Sequence, residues 1–352
     1  MRTRWMSHFA RAALCATALA AAAGAQPQSA EPNQAVLMYK GADRDQRVLE
    51  KAKQEGTVSV YTSLSPTDAK PIVAAFEAKY GVKVDMWRGQ SEGVVQRVLS
   101  EARAKRDAVD VVETNGPEME SMAREHAFAE FYSPRFADLP PNVFPKHHLW
   151  VPDRLNFYIV AYNTNKVKAD EIPKTYEGFL DPKWKGRIAL EANDSEWMGG
   201  LAHAWGEKRA MEFFRRLTAE QKPELRKGHI LLIQLIASGE VEVGLAQYYG
   251  NAASSKLRGG AINWAAVEPV IARPQGIAIS SSAPHPNAAL LFADFMLSPA
   301  AQNMLGKRGR GPVSRAAKSE TSSLKYVMSD PSVILDESHK WEPLWDKFFL
   351  SK

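Results

Sequence analysis

The stretch at residues 57–87, TVSVYTSLSPTDAKPIVAAFEAKYGVKVDMW, decides the fold class of this sequence. TVSVYT alternates as a strand, and a helical pattern follows that opens at Ser65-Pro66 and closes at Gly81. VKVDMW then reads as a second strand. A strand, a helix and a strand in direct succession predict an α/β sheet with helices on its faces.

The same alternation continues on both sides of this stretch. RDQRVLEKAKQE (44–55) predicts a helix upstream, and VDVVET predicts a third strand downstream. A second α/β region follows, in which GRIALEAN and VEVGLAQYY read as strands with helices between them. Two long extended runs, LNFYIVAYNTNKV (155–167) and AAVEPVIARPQGIAIS (265–280), separate the regions. We expect these runs to cross between two lobes.

The first 25 residues are typical of an export signal. Arg2, Arg4 and Arg11 form a basic start, AALCATALAAAA is a short apolar run, and AGA supplies small residues before Gln26. The apolar run is shorter than the ~20 residues of a membrane span. We therefore predict a cleavable signal peptide at 1–25 and a periplasmic protein. Its removal would take away Cys15, the only cysteine, and with it any cysteine nucleophile or cysteine-based metal site.

The remaining composition favours a two-lobed protein without affinity for nucleic acid. The net charge of +5 falls to +2 after the signal, because 42 basic residues then face 40 acidic ones. A chain of this size exceeds one ordinary core. We expect one lobe at 34–152 plus 270–312, and the other at 153–269 plus 313–352.

The loops that follow the predicted strands carry the candidate ligand contacts. Ligands of open α/β sheets bind outside the carboxyl ends of the strands, where helix N-termini also offer unpaired N–H groups. The candidates are Ser63, Ser65, Arg88, Ser91, Asn115 and Ser195. A purely structural role stays open for several of them, since Ser65 and Ser91 are good N-caps and Asn115-Gly116 is an ordinary turn.

Two further groups could serve a cation. Glu191 and Asp194 lie with Glu196 in the loop LEANDSEW, although a capping box of Asn193 and Glu196 would explain part of this cluster. Tyr248 and Tyr249 are adjacent in QYYGN. Successive side chains of a strand point to opposite faces, but two tyrosines at the strand end can turn toward one space.

The sequence offers little support for an enzyme. It contains no H-E-x-x-H motif, and GKRGRGPVSR lacks the spacing of a phosphate-binding P-loop. His147 and His148 are adjacent in a loop, while His126, His203 and His229 each stand alone. We therefore predict no catalytic residues.

Four motifs together resemble the extracellular solute-binding proteins of ABC importers, in the branch that includes periplasmic ferric-ion-binding proteins. They are VSVYTSLSP, DPKWKGRIAL, SGEVEVGLAQYYGN and HPNAALLFADFMLSPAAQ, and they span nearly all of the chain after the signal. The resemblance implies a two-lobed type 2 periplasmic binding fold, each lobe a mixed sheet flanked by helices, joined by two crossover strands. It also implies a monomer that delivers its ligand to an inner-membrane permease and ATPase.

The resemblance implies iron(III) as the transported ligand, with Tyr248 and Tyr249 as phenolate ligands and carbonate or another anion beside them. Glu191 or Asp194 could add a carboxylate. The sequence departs from the ferric pattern at two positions, because Ser65 and Asn115 stand where a His and a Glu are expected. A small organic solute, such as a phosphonate, carboxylate, polyol or amine, is therefore the alternative ligand.

Overall fold

The computed structural model describes residues 33–351. The α-helices α1 to α12 are Asn33–Leu37, Arg44–Glu55, Pro66–Tyr80, Ser91–Arg103, Gly116–Arg124, Ser195–Trp205, Glu207–Arg216, His229–Ser238, Tyr249–Leu257, Pro286–Met296, Pro299–Lys307 and Pro331–Trp345. The strands β1 to β12 are Thr57–Thr62, Lys83–Arg88, Val111–Asn115, Phe128–Ala129, Val151–Asn163, Ile188–Glu191, Glu224–Arg226, Val243–Tyr248, Ile262–Ala265, Ile271–Ser280, Gly311–Pro312 and Val327–Met328. Short 3₁₀ segments lie at Pro134–Asp138, Pro141–Val143, Ala169–Glu171, Tyr176–Leu180 and Pro182–Trp184, and π-helical turns at Leu217–Gln221 and Asp346–Leu350.

The first sheet is built around the stretch that opened the sequence. Its strand order is β2-β1-β3-β10-β5, with β1 parallel to β2 and β3, and β10 antiparallel to β3 and β5. The parallel strands end at Thr62, Arg88 and Asn115. Because carboxyl ends of parallel strands meet at one edge, the loops after these residues face the same space.

The second sheet contains β5, β8, β6 and β7, with β9 also paired to β5. Strand β5 belongs to both sheets: up to Phe157 it pairs with β10, and from Tyr158 onward it pairs with β8 and β9. The predicted run at 155–167 therefore does cross from one sheet to the other, and the α/β prediction is confirmed.

Helices pack against both sheets, and aromatic side chains contribute to the core beside each sheet. Beside the first sheet, Phe76 of α3 packs edge-on against Phe292 of α10, with ring centroids 5.1 Å apart. In the second core, Trp197 of α6 packs against Phe214 of α7 at 5.3 Å. Burying an aromatic ring of this size contributes about 2–3 kcal/mol, so these contacts hold the helices firmly to the sheets.

Local signals in the sequence set most helix limits. The side chain of Ser65 accepts a hydrogen bond from the N–H of Asp68 at the start of α3, and Gly81 ends that helix with φ of 70°. Two expectations were wrong. Strand β8 ends at Tyr248, so that Tyr249 begins α9, and Asp194 instead of Asn193 precedes α6, without a side-chain cap.

Two sequence predictions are not tested by the described residues. The signal peptide at 1–25 lies outside the described residues. The limits of the two lobes stay predictions. Within residues 33–351, no helix is both long enough and apolar enough to cross a membrane.

Candidate functional site

A cavity of about 460 Å³ lies where the two sheets meet. Five of the predicted contacts line it together: Ser63, Ser65, Ser91, Asn115 and Tyr248. The rest of its lining comprises Leu64, Asp68, Gln90, Glu92, Arg154, Leu155, Asn156, Ile230, Gly250, Asn251, Arg273, Gln275, Arg310 and Gly311. The strand-end loops of the first sheet therefore converge with the end of β8 on one cleft.

The first wall of the cleft consists of Ser63, Ser65, Ser91, Asn115, Arg154, Gln275 and Arg310. Its small polar side chains are held in place by hydrogen bonds. Nδ2 of Asn115 donates to Oγ of Ser91 at 2.7 Å, and Nε2 of Gln275 donates to Oδ1 of Asn115 at 2.8 Å. Oγ1 of Thr114 donates to Oγ of Ser63 at 3.0 Å. These bonds fix the orientation of each group toward the cavity before any ligand arrives.

Arginines in this cleft are paired with carboxylates. Arg154, 3% exposed, contacts Glu113, and its Nη1 lies 3.2 Å from Oδ2 of Asp153. Nη2 of Arg310 lies 2.8 Å from Oδ2 of Asp68. Such charge-assisted pairs are about twice as strong as neutral hydrogen bonds, so the guanidinium groups are rigidly placed.

A third arginine, Arg273, stands on β10 of the first sheet. Nε of Arg273 lies 2.7 Å from Oε1 of Glu196, and both side chains are largely buried. Glu196 therefore holds an arginine instead of forming the predicted capping box with Asn193. The pair sits close enough to Tyr248 to act on its pKa.

Tyr248 ends β8 and presents its ring to the cleft. The ring lies 3.9 Å from that of His229 and 5.2 Å from that of Tyr158, centroid to centroid. Burial raises the pKa of Tyr248 to about 12, although Arg273 acts to lower it. The phenol therefore keeps its proton at neutral pH unless a bound cation displaces it.

Tyr249 does not share this position. It is 2% exposed, and its ring packs against Trp264 at 5.0 Å and Phe157 at 6.4 Å, centroid to centroid. It is not part of the cavity lining. From the sequence we expect the strand end to turn both rings toward one space. Instead, the change from strand to helix turns the ring of Tyr249 into the core and away from that of Tyr248.

Glu191 and Asp194 lie in the interior behind Tyr248, where His229 joins them. One ligand atom from each of the three residues lies within 4.8 Å of the others. Oδ1 of Asp194 lies 3.2 Å from Nε2 of His229. Burial raises the pKa of Asp194 to about 6. Burial acts to lower the pKa of His229, but the Asp194 carboxylate acts to raise it, and the pKa of His229 is raised on balance. We call Tyr248, Tyr158, Glu191, Asp194 and His229 the second wall.

The structure places two other candidates away from the cleft. Arg88 is exposed at the end of β2 and lines no part of the cavity. Ser195 lines a neighbouring cavity of about 580 Å³, which also contacts Arg273 and α12. Neither residue therefore joins the other candidates around Tyr248.

Sequence reasoning missed the charged groups of the cleft. Arg154 directly precedes the first extended run and Arg273 stands in the second, and a charged residue next to or inside a mainly apolar run was the available signal. Arg310 stands in a segment that reads as an ordinary loop. His229 stands alone in the sequence, because its carboxylate neighbours are more than 30 residues away along the chain.

The segment Gly89–Gly93 reads G-x-S-x-G, the pattern of a hydrolase nucleophile elbow. The structure does not give it the strained backbone of an elbow, because Ser91 is absent from the described non-glycine residues with positive φ. The Oγ atom of Ser91 accepts from the amide of Asn115 and makes no hydrogen bond to a described histidine. Ser91 therefore serves this cleft as a polar lining group.

Known proteins resemble the chain in sequence and fold. Residues 71–325 match the family described as bacterial extracellular solute-binding protein. The chain is 24% identical to iron uptake protein A1 of Synechocystis sp. over 294 residues, 77% of this chain and 79% of that protein.

Two solved structures share the fold. One is a Trichodesmium protein, IdiA or FutA, in complex with iron and citrate, with a TM-score of 0.71, 20% identity and coverage of 83% of this chain and 99% of that one. The other is the periplasmic binding protein AfuA of Actinobacillus pleuropneumoniae with bound fructose-6-phosphate, with a TM-score of 0.68, 21% identity and coverage of 85% and 100%. The expected two-lobed periplasmic binding fold is therefore confirmed.

Proposed function

The chain belongs to the family of bacterial extracellular solute-binding proteins, and from this premise we propose that it captures ferric iron with an accompanying anion and delivers it to an inner-membrane ABC permease and ATPase. The iron would bind in the cleft between the two sheets. The relative from Synechocystis is named for iron uptake, and the Trichodesmium structure contains iron and citrate.

The observation that carries this proposal is the phenol of Tyr248 at the cleft surface. A phenolate oxygen is a hard, anionic ligand that suits a highly charged cation, and binding would drive off the proton that burial retains. Asp194 and Glu196 both raise the pKa of Tyr248 through their charge, so they lie close enough to attract a cation. Tyr158 offers a second phenol beside the first.

The first wall supplies the site for an anion. Helices α3, α4 and α5 all begin where the parallel strands end, so their positive N-termini point into the cleft. Arg154 and Arg310 add guanidinium groups to the same lining. An anion such as carbonate or citrate held there could complete the coordination of an iron ion bound to the phenolate of Tyr248.

Our proposal uses Tyr248 as the phenolate ligand and keeps Tyr249 in the core. The matched test compares Tyr248→Phe with Tyr249→Phe in calorimetric titrations with ferric citrate. We expect the first variant to weaken iron binding at least about 100-fold and the second to change it by less than about threefold. Equal affinities for both variants and the wild type would contradict the proposal.

A second candidate ligand is a phosphorylated organic anion. The three arginines of the cleft favour it, because a guanidinium group binds phosphate with two parallel hydrogen bonds. The AfuA structure with fructose-6-phosphate has the same fold. A thermal-shift comparison separates the two candidates, since only a ligand that prefers the folded state raises the melting temperature. We expect ferric citrate to raise it and fructose-6-phosphate to leave it unchanged; the reverse result would favour the sugar phosphate.

A further inference from the structure

Glu191, Asp194 and His229 come together from three separate segments. Glu191 ends β6, Asp194 precedes α6, and His229 is the first residue of α8. They are the group of potential metal-ligating side chains found among the described residues, with one ligand atom from each within 4.8 Å of the others. The second sheet thus places two carboxylates and one imidazole around a common point.

Backbone contacts fix the first carboxylate. Oε1 of Glu191 accepts from the N–H of Gly228 at 2.7 Å, and Oε2 accepts from the N–H of Asn193. Both oxygens keep lone pairs, since a carboxylate offers about four acceptor sites. The side chain is 5% exposed and therefore stays in one orientation, as a metal ligand requires.

A buried carboxylate oxygen next to His229 lacks a partner. Asp194 is 2% exposed, and its Oδ2 makes no hydrogen bond with any described residue. The imidazole of His229 faces the buried side chain of Gln247, which acts to raise its pKa through a side-chain hydrogen bond. A buried carboxylate oxygen without a partner is costly, so the free Oδ2 atom beside Glu191 and His229 indicates a missing ligand.

We propose that Glu191, Asp194 and His229 form a binding site for one divalent transition-metal ion, of the class of Zn²⁺, Mn²⁺ or Fe²⁺. Two carboxylates and a neutral imidazole give the charge and the mixed oxygen and nitrogen ligands that such ions accept. Ca²⁺ and Mg²⁺ fit less well, because they prefer oxygen ligands alone. The site lies behind Tyr248 and does not require its phenolate.

This site goes beyond ferric capture and can be tested separately from it. The probe is Zn²⁺ added to chelator-treated protein, measured by competition with a chromophoric zinc indicator, with Co²⁺ absorption as a report on coordination. We expect one Zn²⁺ per chain, and a loss of affinity of at least about 100-fold in both Asp194→Asn and His229→Gln. Tyr248→Phe should keep Zn²⁺ while it loses ferric iron.

The chain offers a matched control for surface binding. His203 also pairs with a carboxylate, Oε2 of Glu337 at 2.9 Å, but this pair is partly exposed and no third metal-ligating side chain joins it among residues 33–351. His203→Gln should bind Zn²⁺ as the wild type does, and circular dichroism should show that all variants are folded. Absence of stoichiometric Zn²⁺ binding, or equal binding by the wild type, Asp194→Asn and His229→Gln, would overturn the proposal.

Discussion

The two walls of the cleft differ in how their buried polar and charged groups are paired. On the first wall Arg154 and Arg310 each lie within 3.2 Å of a carboxylate oxygen, and the amides and hydroxyls bond to one another. On the second wall Oδ2 of Asp194 is buried without a partner among the described residues. The charges of the first wall are therefore paired without a ligand, whereas Asp194 on the second wall gains a partner for Oδ2 only when a ligand binds.

The largest expected effect follows from removing an arginine that pairs buried carboxylates at the first wall. Arg154→Ala would leave Glu113 and Asp153 buried without their cation, and we expect the free energy of unfolding to fall by about 3–5 kcal/mol. Urea denaturation measures this change. Arg88→Ala, at an exposed position, should stay within about 0.5 kcal/mol of the wild type. A small effect at Arg154 would show that this wall is not held by its ion pairs.

Substitutions of the two adjacent tyrosines distinguish a core position from a cleft position. Tyr249→Ala should lower the free energy of unfolding by about 3 kcal/mol or more, because it empties a packed position between Trp264 and Phe157. Tyr248→Ala removes a ring that partly faces the cavity, and we expect a loss of about 1 kcal/mol. Chemical denaturation of both variants checks whether Tyr249→Ala loses more stability than Tyr248→Ala. The opposite order would mean that Tyr249 is the residue facing the cleft.

A pH dependence is expected from Asp153, the buried carboxyl beside Arg154 of the first wall. Burial raises its pKa from 3.8 to about 7, so folding favours the protonated carboxyl. Its contribution to stability is full below the unfolded pKa and is lost as pH rises through the folded one. Relative to Asp153→Asn, the wild type should therefore lose about 2 kcal/mol between pH 5 and pH 8. Unfolding curves at both pH values test this, and a constant difference would count against it.

The smallest effect concerns the helix start that carries a cleft serine. Ser65 caps α3 through its contact with the N–H of Asp68. Ser65→Ala should lower the free energy of unfolding by about 1 kcal/mol, whereas Ser65→Asn should preserve it, because asparagine is an equally good N-cap. Thermal and urea unfolding report both values. Equal losses in the two variants would show that the serine acts in some way other than capping.

The sequence predicted the parts of the fold that depend on local pattern. Alternation at 57–62, the Ser-Pro start of α3 and the glycine after it lie where the structure has them. Ser63, Ser91 and Asn115 could be named as cleft residues because they follow strand ends, and strand ends of a parallel sheet share an edge.

The rest of the site depends on contacts that sequence pattern does not contain. His229 and Asp194 meet only because α8 begins beside the loop after β6. The orientations of Tyr248 and Tyr249 depend on the one residue at which a strand becomes a helix, and a boundary is the least certain part of any sequence-based assignment.

The most direct test of this account is the resonance Raman spectrum of the protein loaded with ferric iron, excited in the visible charge-transfer band. We predict tyrosinate vibrations in the wild type and in Tyr249→Phe, and their loss together with the visible colour in Tyr248→Phe. A wild-type protein that binds iron without tyrosinate vibrations, or a Tyr248→Phe variant that keeps them, would contradict the assignment of Tyr248 as the iron ligand.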